Sequence, residues 1–333
     1  LKILLTGGCG FLGHHIVEHL LKNSDAEIVI LDRLTYASSG FDRLRDIKAY
    51  DDKRVQVLGT DLRHGVSVGT AREIGKVDFI LHAAAETHVD NSIVDPLPFL
   101  ESNVIGTHHL LMLARQLEPK RTFIVSTDEV YGPAPWDFAG FAPGAPIHPT
   151  NPYAASKAGA ESIALAYANT FKLPITILNG MNFIGERQHF EKLVPLVIKK
   201  VLAGETVTIH ASADKQKSGT RFYLHCRNFA DAFLFLLENH EKQTPDWKIH
   251  VVGEKEISNL EMAQLIAEII GKPLLFEMTD FHSSRPGHDL RYAMVDTYLK
   301  HKGWSHPLSI EESLNKTVRW YLDPKNTRWL NWK

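Results

Sequence analysis

Short uninterrupted apolar runs alternate with longer amphipathic stretches along the first half of the chain. Lys2–Thr6 is such a run. It is followed by a glycine cluster and by Phe11–Leu21, whose apolar positions recur at helical spacing, so the segment predicts strand, turn and helix. Further runs at Glu27–Leu31, Val55–Gly59, Asp78–Leu81 and Arg121–Ser126 predict strands separated by helices or loops. Strands that lack polar alternation are buried on both faces, the condition of parallel strands joined by helical crossovers. Pro152–Phe171 predicts a long helix with Asn151 as N-cap and Pro152 in the first turn, and Ile175–Leu178 a further strand. From about Phe190 the pattern changes to helices and short strands, with two Ser-x-x-Glu capping boxes, Ser258 with Glu261 and Ser309 with Glu312. The expected class is α/β: a doubly wound parallel sheet over residues 1–178, then a smaller α/β lobe over 179–333 with some segments returning to the first core. The proline-rich Pro133–Pro149, just before the long helix, is expected to be a loop that acts as a lid.

Composition narrows the function classes. At 333 residues the chain exceeds one core, and 44% hydrophobic with 23% charged residues describes an ordered globular protein. A net charge of -2 gives no overall field for a polyanion, so nucleic acid is not an expected partner. Cys9 and Cys226 are the two cysteines, and Cys9 sits within the glycine cluster, so no disulfide is expected and a cytoplasmic location is. No apolar run approaches the roughly 18–20 residues a membrane span needs. The chain opens at Leu1 without Met, and a few further residues are expected upstream.

Thr6-Gly7-Gly8-Cys9-Gly10-Phe11-Leu12-Gly13 sets glycines between a strand and a helix. Missing side chains let the backbone approach a pyrophosphate, and the helix N-terminus offers free N–H groups and partial positive charge. Asp32, at the end of the second strand, completes the dinucleotide fingerprint of a Rossmann-type sheet. A carboxylate there accepts from both ribose hydroxyls and repels a 2′-phosphate, which favours NAD over NADP, although Arg33 beside it pulls the other way. Asp61, after the third strand, can reach the adenine. Sequential histidines on a helix diverge, so His14/His15 and His108/His109 do not make a metal site.

Tyr153-Ala-Ala-Ser-Lys157 puts a phenol and an ammonium at i and i+4 on one helix face, where the cation favours phenolate and so lowers the tyrosine pKa toward that of a general base. With the fingerprint, this motif resembles the extended short-chain dehydrogenase/reductase family, from Lys2 to about Trp329. The resemblance implies strand order 3-2-1-4-5-6 with a seventh strand added, NAD at the switch point and a sugar nucleotide held by the C-terminal lobe. Within that family, Ser126-Thr127-Asp128-Glu129-Val130-Tyr131-Gly132 and His82-Ala-Ala-Ala-Glu86-Thr-His88-Val-Asp90 resemble the nucleotide-sugar 4,6-dehydratases. His82 by itself reads as structural. Neighbouring carboxylates raise one another's pKa, and losing water needs one group to give a proton and another to take one.

What the resemblance implies for the residues is specific. Thr127, Asp128, Glu129, Tyr153 and Lys157 are catalytic; Gly7, Gly10, Phe11, Leu12, Gly13, Asp32, Asp61, Leu62, Ala83 and Ala84, with Tyr153 and Lys157, bind NAD. His88, Asn182, Lys192, Leu193, Arg221, Asn259, Arg285 and His288 bind the substrate, a nucleotide-diphosphate hexose, and the two guanidinium forks suit phosphate oxygens on their own account. No metal is implied, and a homodimer is, through the helix near Leu97–Gln116 and the Tyr153 helix. The chain departs from the family at Ala211-Ser-Ala213 and the lysine-rich segment after it, and at Arg227-Asn228, where acidic residues are usual. The rivals on this scaffold are a 4-epimerase and a uronate decarboxylase, and outside enzymes an NAD-binding sensor.

Overall fold

The computed structural model describes residues 1–240, 247–281 and 289–331. The early apolar runs form β1 (Lys2–Thr6), β2 (Glu27–Asp32), β3 (Val55–Gly59), β4 (Phe79–His82), β5 (Arg121–Thr127) and β6 (Ile175–Gly180). The later strands are β7 (Phe183–Ile184), β8 (Val207–Ala211), β9 (Thr220–Phe222), β10 (Leu224–His225), β11 (Lys248–Val251), β12 (Glu256–Ser258) and β13 (Phe276–Asp280). The main sheet has seven strands in the order β11-β6-β5-β4-β1-β2-β3, every pair parallel. This is the expected order, with the added strand beyond β6. Strand ends differ from the sequence reading by a residue or two, because the hydrogen-bond ladder runs past the last apolar side chain into Asp32, His82 and Thr127.

Burial on both sheet faces explains the apolar runs. Ile3, Leu5, Ile28, Ile30, Phe79 and Leu81 pack with the helices Phe11–Asn23 and Cys226–Asn239 on one face. Their neighbours Leu4, Val29, Leu31 and Ile80 pack with Val68–Ile74 and Gly106–Leu117 on the other. Each such side chain contributes roughly 1.5–3 kcal/mol, so the central strands are where the sheet is fixed. A second core joins the helices Leu193–Ala203, Asn259–Ile270 and Ile310–Leu322 with Val207, Ile209 and Ile257. The helix Cys226–Asn239 and β11 come from the second half of the chain yet belong to the layers of the main sheet.

Local signals act as the sequence suggests, with one exception. Asn151 Oδ1 accepts from the Ala154 amide at 2.8 Å and starts the helix Pro152–Phe171. Ser309 and Glu312 form a reciprocal capping box, whereas Ser258 caps the Glu261 amide without the return bond from Glu261. The Pro133–Pro149 segment, expected as a lid, is tied down along residues 291–295. Ala134 and Phe141 amides donate to the Arg291 and Ala293 carbonyls at 3.0 Å each, and the Arg291 guanidinium holds the Pro135 and Phe138 carbonyls.

Candidate active site

At the carboxyl ends of the central strands, where the order reverses between β1 and β4, lies a cavity of about 390 Å³. The first core supplies its glycine loop and strand ends, and the second core closes it with Ile184, Leu193, Val194 and Tyr223. All the expected cofactor positions, Gly7, Gly10, Phe11, Leu12, Gly13, Asp32, Asp61, Leu62, Ala83 and Ala84, line it, as do Thr127, Asp128, Glu129, Tyr153 and Lys157.

Gly7 and Gly13 admit no side chain. Gly7 has φ +74°, and a Cβ there would fall 2.8 Å from Ala84 Cα, while one at Gly13 would overlap the Gly7 carbonyl oxygen. Gly10 precedes the helix Phe11–Asn23 without any side-chain cap, so the first-turn N–H groups face the cavity end of the helix with the positive end of its dipole. Asp32 is held by the Cys9 and Leu34 amides at 3.0 and 2.8 Å, and burial raises its carboxyl pKa. Arg33 pairs with Glu86, and Asp61 with Arg63 at 2.7 Å, so the cation that favoured a 2′-phosphate is already engaged. Backbone cradle, helix end and buried Asp32 together fit a dinucleotide. His82 is structural: it bridges Thr6 Oγ1 at 2.7 Å and Thr107 Oγ1 at 2.9 Å, and burial lowers its pKa to about 3.

The reacting side gathers at the end of β5. Asp128 is 4% exposed, and its Oδ1 accepts from the Thr127 hydroxyl at 3.0 Å. Burial first, and the Glu129 charge second, raise its pKa to about 7, against the pull of Arg221. Burial also raises Glu129, which Asn151 Nδ2 (3.3 Å) and the Tyr292 hydroxyl (3.4 Å) hold at Oε2. The Thr127 side chain also lowers the Tyr153 pKa, so tyrosine, threonine and aspartate stand side by side.

The expected effect of Lys157 on that phenol is not found. Its ammonium donates to the Val125 carbonyl at 2.8 Å, and burial, then Glu129, push the Tyr153 pKa well up instead. Helical spacing puts lysine and tyrosine on one face, but only the surrounding strands decide where the ammonium points.

Several groups behind the wall escaped the sequence reading. The helix expected near Leu97–Gln116 contains a π-helical stretch, Leu100–Ile105, and within it Asn103 bonds both main-chain groups of Glu86 and the Ser156 hydroxyl. It thereby fixes the Glu86 loop against the Tyr153 helix. Tyr292 and the second role of Asn151 were invisible because their partner, Glu129, is remote in sequence. No local signal marks such contacts.

Of the expected substrate residues, His88, Asn182, Lys192 and Leu193 line the cavity. Arg221 and Asn259 stand behind it. The Arg221 guanidinium donates to the Thr220, Asp289 and Leu290 carbonyls at 2.7 Å each and lies over the Tyr292 ring, and Asn259 accepts from Tyr223, itself a wall residue. Arg285 and His288 lie outside the described residues. The departure at Arg227-Asn228 has a partner: Arg227 pairs at 3.1 Å with Glu186, which His225 approaches to 3.2 Å, so a buried acid elsewhere offsets the missing one. Asn228 instead caps the Leu308 carbonyl at 2.8 Å. The lysine-rich departure reaches Trp136, whose ring Lys217 covers at 3.5 Å.

Comparison with known proteins agrees with this geometry. The chain is 34% identical over 351 aligned residues to a dTDP-glucose 4,6-dehydratase of Shigella flexneri, covering 99% of this chain and 94% of that one. It is 35% identical to a trifunctional UDP-glucose 4,6-dehydratase/UDP-4-keto-6-deoxy-D-glucose 3,5-epimerase/UDP-4-keto-L-rhamnose-reductase of Arabidopsis thaliana, covering 98% of this chain but 48% of that longer protein. Among solved structures, DesIV (dTDP-glucose 4,6-dehydratase) from Streptomyces venezuelae, with NAD and TYD bound, superposes with a TM-score of 0.85 at 33% identity and 98% coverage of both chains. Residues 3–253 match the sequence pattern of the NAD dependent epimerase/dehydratase family, and to that family this chain belongs.

Proposed function

We propose that the protein is an NAD-dependent nucleotide-sugar 4,6-dehydratase, a hydro-lyase that turns a nucleotide-diphosphate hexose, dTDP-glucose or UDP-glucose, into its 4-keto-6-deoxy sugar. One observation carries the reading: Asp128 and Glu129 share a cavity wall with Tyr153, and Asp128, raised to about 7, keeps its proton near neutrality. Inverting C4 requires no leaving hydroxyl. An elimination does, and it needs an acid and a base together.

NAD, held by the glycine loop and Asp32, would supply the hydride acceptor for C4 and the donor that returns hydride to C6. Tyr153 takes the proton of the C4 hydroxyl while Thr127 holds that oxygen, and Lys157 supports the nicotinamide ribose. The resulting carbonyl acidifies C5–H. Glu129 removes that proton, Asp128 protonates the departing C6 hydroxyl, and water leaves; Glu129 then reprotonates C5. Over the cycle Tyr153 gains one proton and Asp128 loses one, so one proton returns from Tyr153 to Asp128 before the next turnover, and Thr127, which donates to Asp128, stands next to both.

The cofactor ligands are the ten cavity residues from Gly7 to Ala84 named above, with Tyr153 and Lys157. The substrate ligands are His88, Asn182, Lys192 and Leu193 of the wall, with Arg285 and His288, while Arg221 and Asn259 brace the wall from behind. Residues 1–178 serve mainly the cofactor and 179–333 mainly the sugar nucleotide. Exposed Leu97, Leu100, Met112 and Leu165, on the two helices of the expected interface, support a homodimer. The free cysteines support a cytoplasmic site of action, and among the described residues no helix is long and apolar enough to cross a membrane.

Incubation with dTDP-glucose and with UDP-glucose tests the reading. A 4-keto product absorbing in alkali, with no net consumption of NAD, is the expected result; a C4-inverted hexose would mean an epimerase, and bound NAD without turnover a sensor.

A further inference from the structure

Behind the reacting side lies a buried ion pair that the chemistry above does not use. Tyr153, Lys157 and Glu161 recur at four-residue intervals in the helix Pro152–Phe171 and so form one stripe. Glu161 is 5% exposed and Lys248, in β11, 3%, and Lys248 Nζ donates to Glu161 Oε2 at 2.7 Å. The other carboxylate oxygen accepts from Asn179 Nδ2 at 2.8 Å, and the same nitrogen donates to the Thr127 carbonyl at 2.8 Å. Lys157 donates to the Val125 carbonyl. Two carbonyls of β5, just ahead of Asp128 and Glu129, thus hang from one helix stripe.

Stability alone does not account for such a pair. Burying an ammonium and a carboxylate costs several kcal/mol per ion, and their attraction repays this so narrowly that apolar residues of similar volume often do as well. Its location is more informative. Lys157 is buried, which favours its neutral form and lowers its pKa to about 8, and Glu161, one turn along, acts in the opposite direction. Among the described residues, Lys157 faces Glu161 on its own helix and His82 of β4, which burial keeps neutral, while β5 presents the Val125 carbonyl. Lys248 faces Glu161 from β11 and the Tyr131 ring at 4.5 Å.

We propose that Glu161, anchored by Lys248, is a positioning residue: it keeps Lys157 charged and, through Asn179, fixes the Thr127 carbonyl and the Asp128-Glu129 turn that follows. The role rests on the dehydratase reading, but the charge of Lys157 can be followed without substrate. NMR of the full chain with isotope-labelled lysine, the Lys157 signal being assigned by its loss in Lys157→Met, gives its titration directly. In Glu161→Gln the midpoint moves down by about one pH unit, the low end for loss of an opposite charge at close range, and the high-pH limb of C4 oxidation moves with it. A lone buried ammonium endangers folding of that variant, so Glu161→Gln/Lys248→Met, which removes both charges, is measured beside it and shows a downward move that is smaller, because the repulsion from Lys248 goes with the attraction of Glu161. Lys248→Arg keeps the pair and leaves the midpoint where it was. An unmoved Lys157 midpoint in the double variant, with activity merely reduced, overturns the proposal. If the unmodified protein oxidises no sugar nucleotide, the functional reading falls instead, and the Lys157 midpoint still decides this role.

Discussion

Replacing Asp128 by asparagine should make the protein more stable and arrest it halfway through its reaction. The pKa of Asp128 rises on folding from 3.8 to about 7. A carboxyl with a raised folded-state value binds its proton more tightly in the native state, so unfolding becomes easier as pH climbs from the unfolded value to the folded one, and above about 7 the full penalty applies. At about 1.4 kcal/mol per unit the shift corresponds to roughly 4 kcal/mol. Asparagine removes that term but leaves an amide where Oδ2 has no hydrogen-bond partner among the described residues, which costs about 1–3 kcal/mol. The net gain is therefore on the order of 1–3 kcal/mol at pH above about 7, seen as a rise in the urea midpoint that shrinks as pH falls and turns into a fall at low pH, where only the amide cost remains. In stopped-flow mixing with the sugar nucleotide, C4 oxidation should keep its rate and reduced nicotinamide should accumulate, because elimination loses its acid and slows by about 10²–10⁴. In the parent, elimination should slow as pH rises through about 7 and Asp128 loses its proton. Equal slowing of oxidation and elimination in Asp128→Asn, or a loss of stability at every pH, would refute the reasoning.

Tyr153→Phe should bind NAD normally yet show no reduced-nicotinamide transient, with oxidation down by about 10²–10⁴; a surviving transient would remove the phenol from its role. Gly13→Ala puts a Cβ onto the Gly7 carbonyl, so NAD affinity measured by titration calorimetry should collapse while far-UV circular dichroism persists. Asn151→Ala removes both the cap of the Tyr153 helix and the amide at Glu129, and should cost about 1 kcal/mol in urea unfolding. Because that amide lowers the Glu129 pKa, the acid limb of elimination should also shift to higher pH.

Much of the architecture is written locally. Uninterrupted apolar runs dictate strands buried on both faces, and the absence of side chains at Gly7, Gly10 and Gly13 dictates a turn the backbone can bring against a ligand. The spacing of Tyr153 and Lys157 dictates a shared helix face, and Asn151 and Ser309 dictate where helices start. Each follows from interactions within a few residues, which is why each could be read in order along the chain. Electrostatics and partners at longer range could not. The direction of the Lys157 ammonium, the neutralisation of Arg33 by Glu86, the π-helical turn around Asn103 and the pinning of Pro133–Pro149 by Arg291 join residues far apart in sequence. So does the raised pKa of Asp128, since adjacency to Glu129 supplies only the second cause, and the first, burial, exists only once the second core closes over the end of β5. Residue types and their spacing set which groups are present, whereas desolvation and distance, which are properties of the assembled fold, set the protonation state in which they meet.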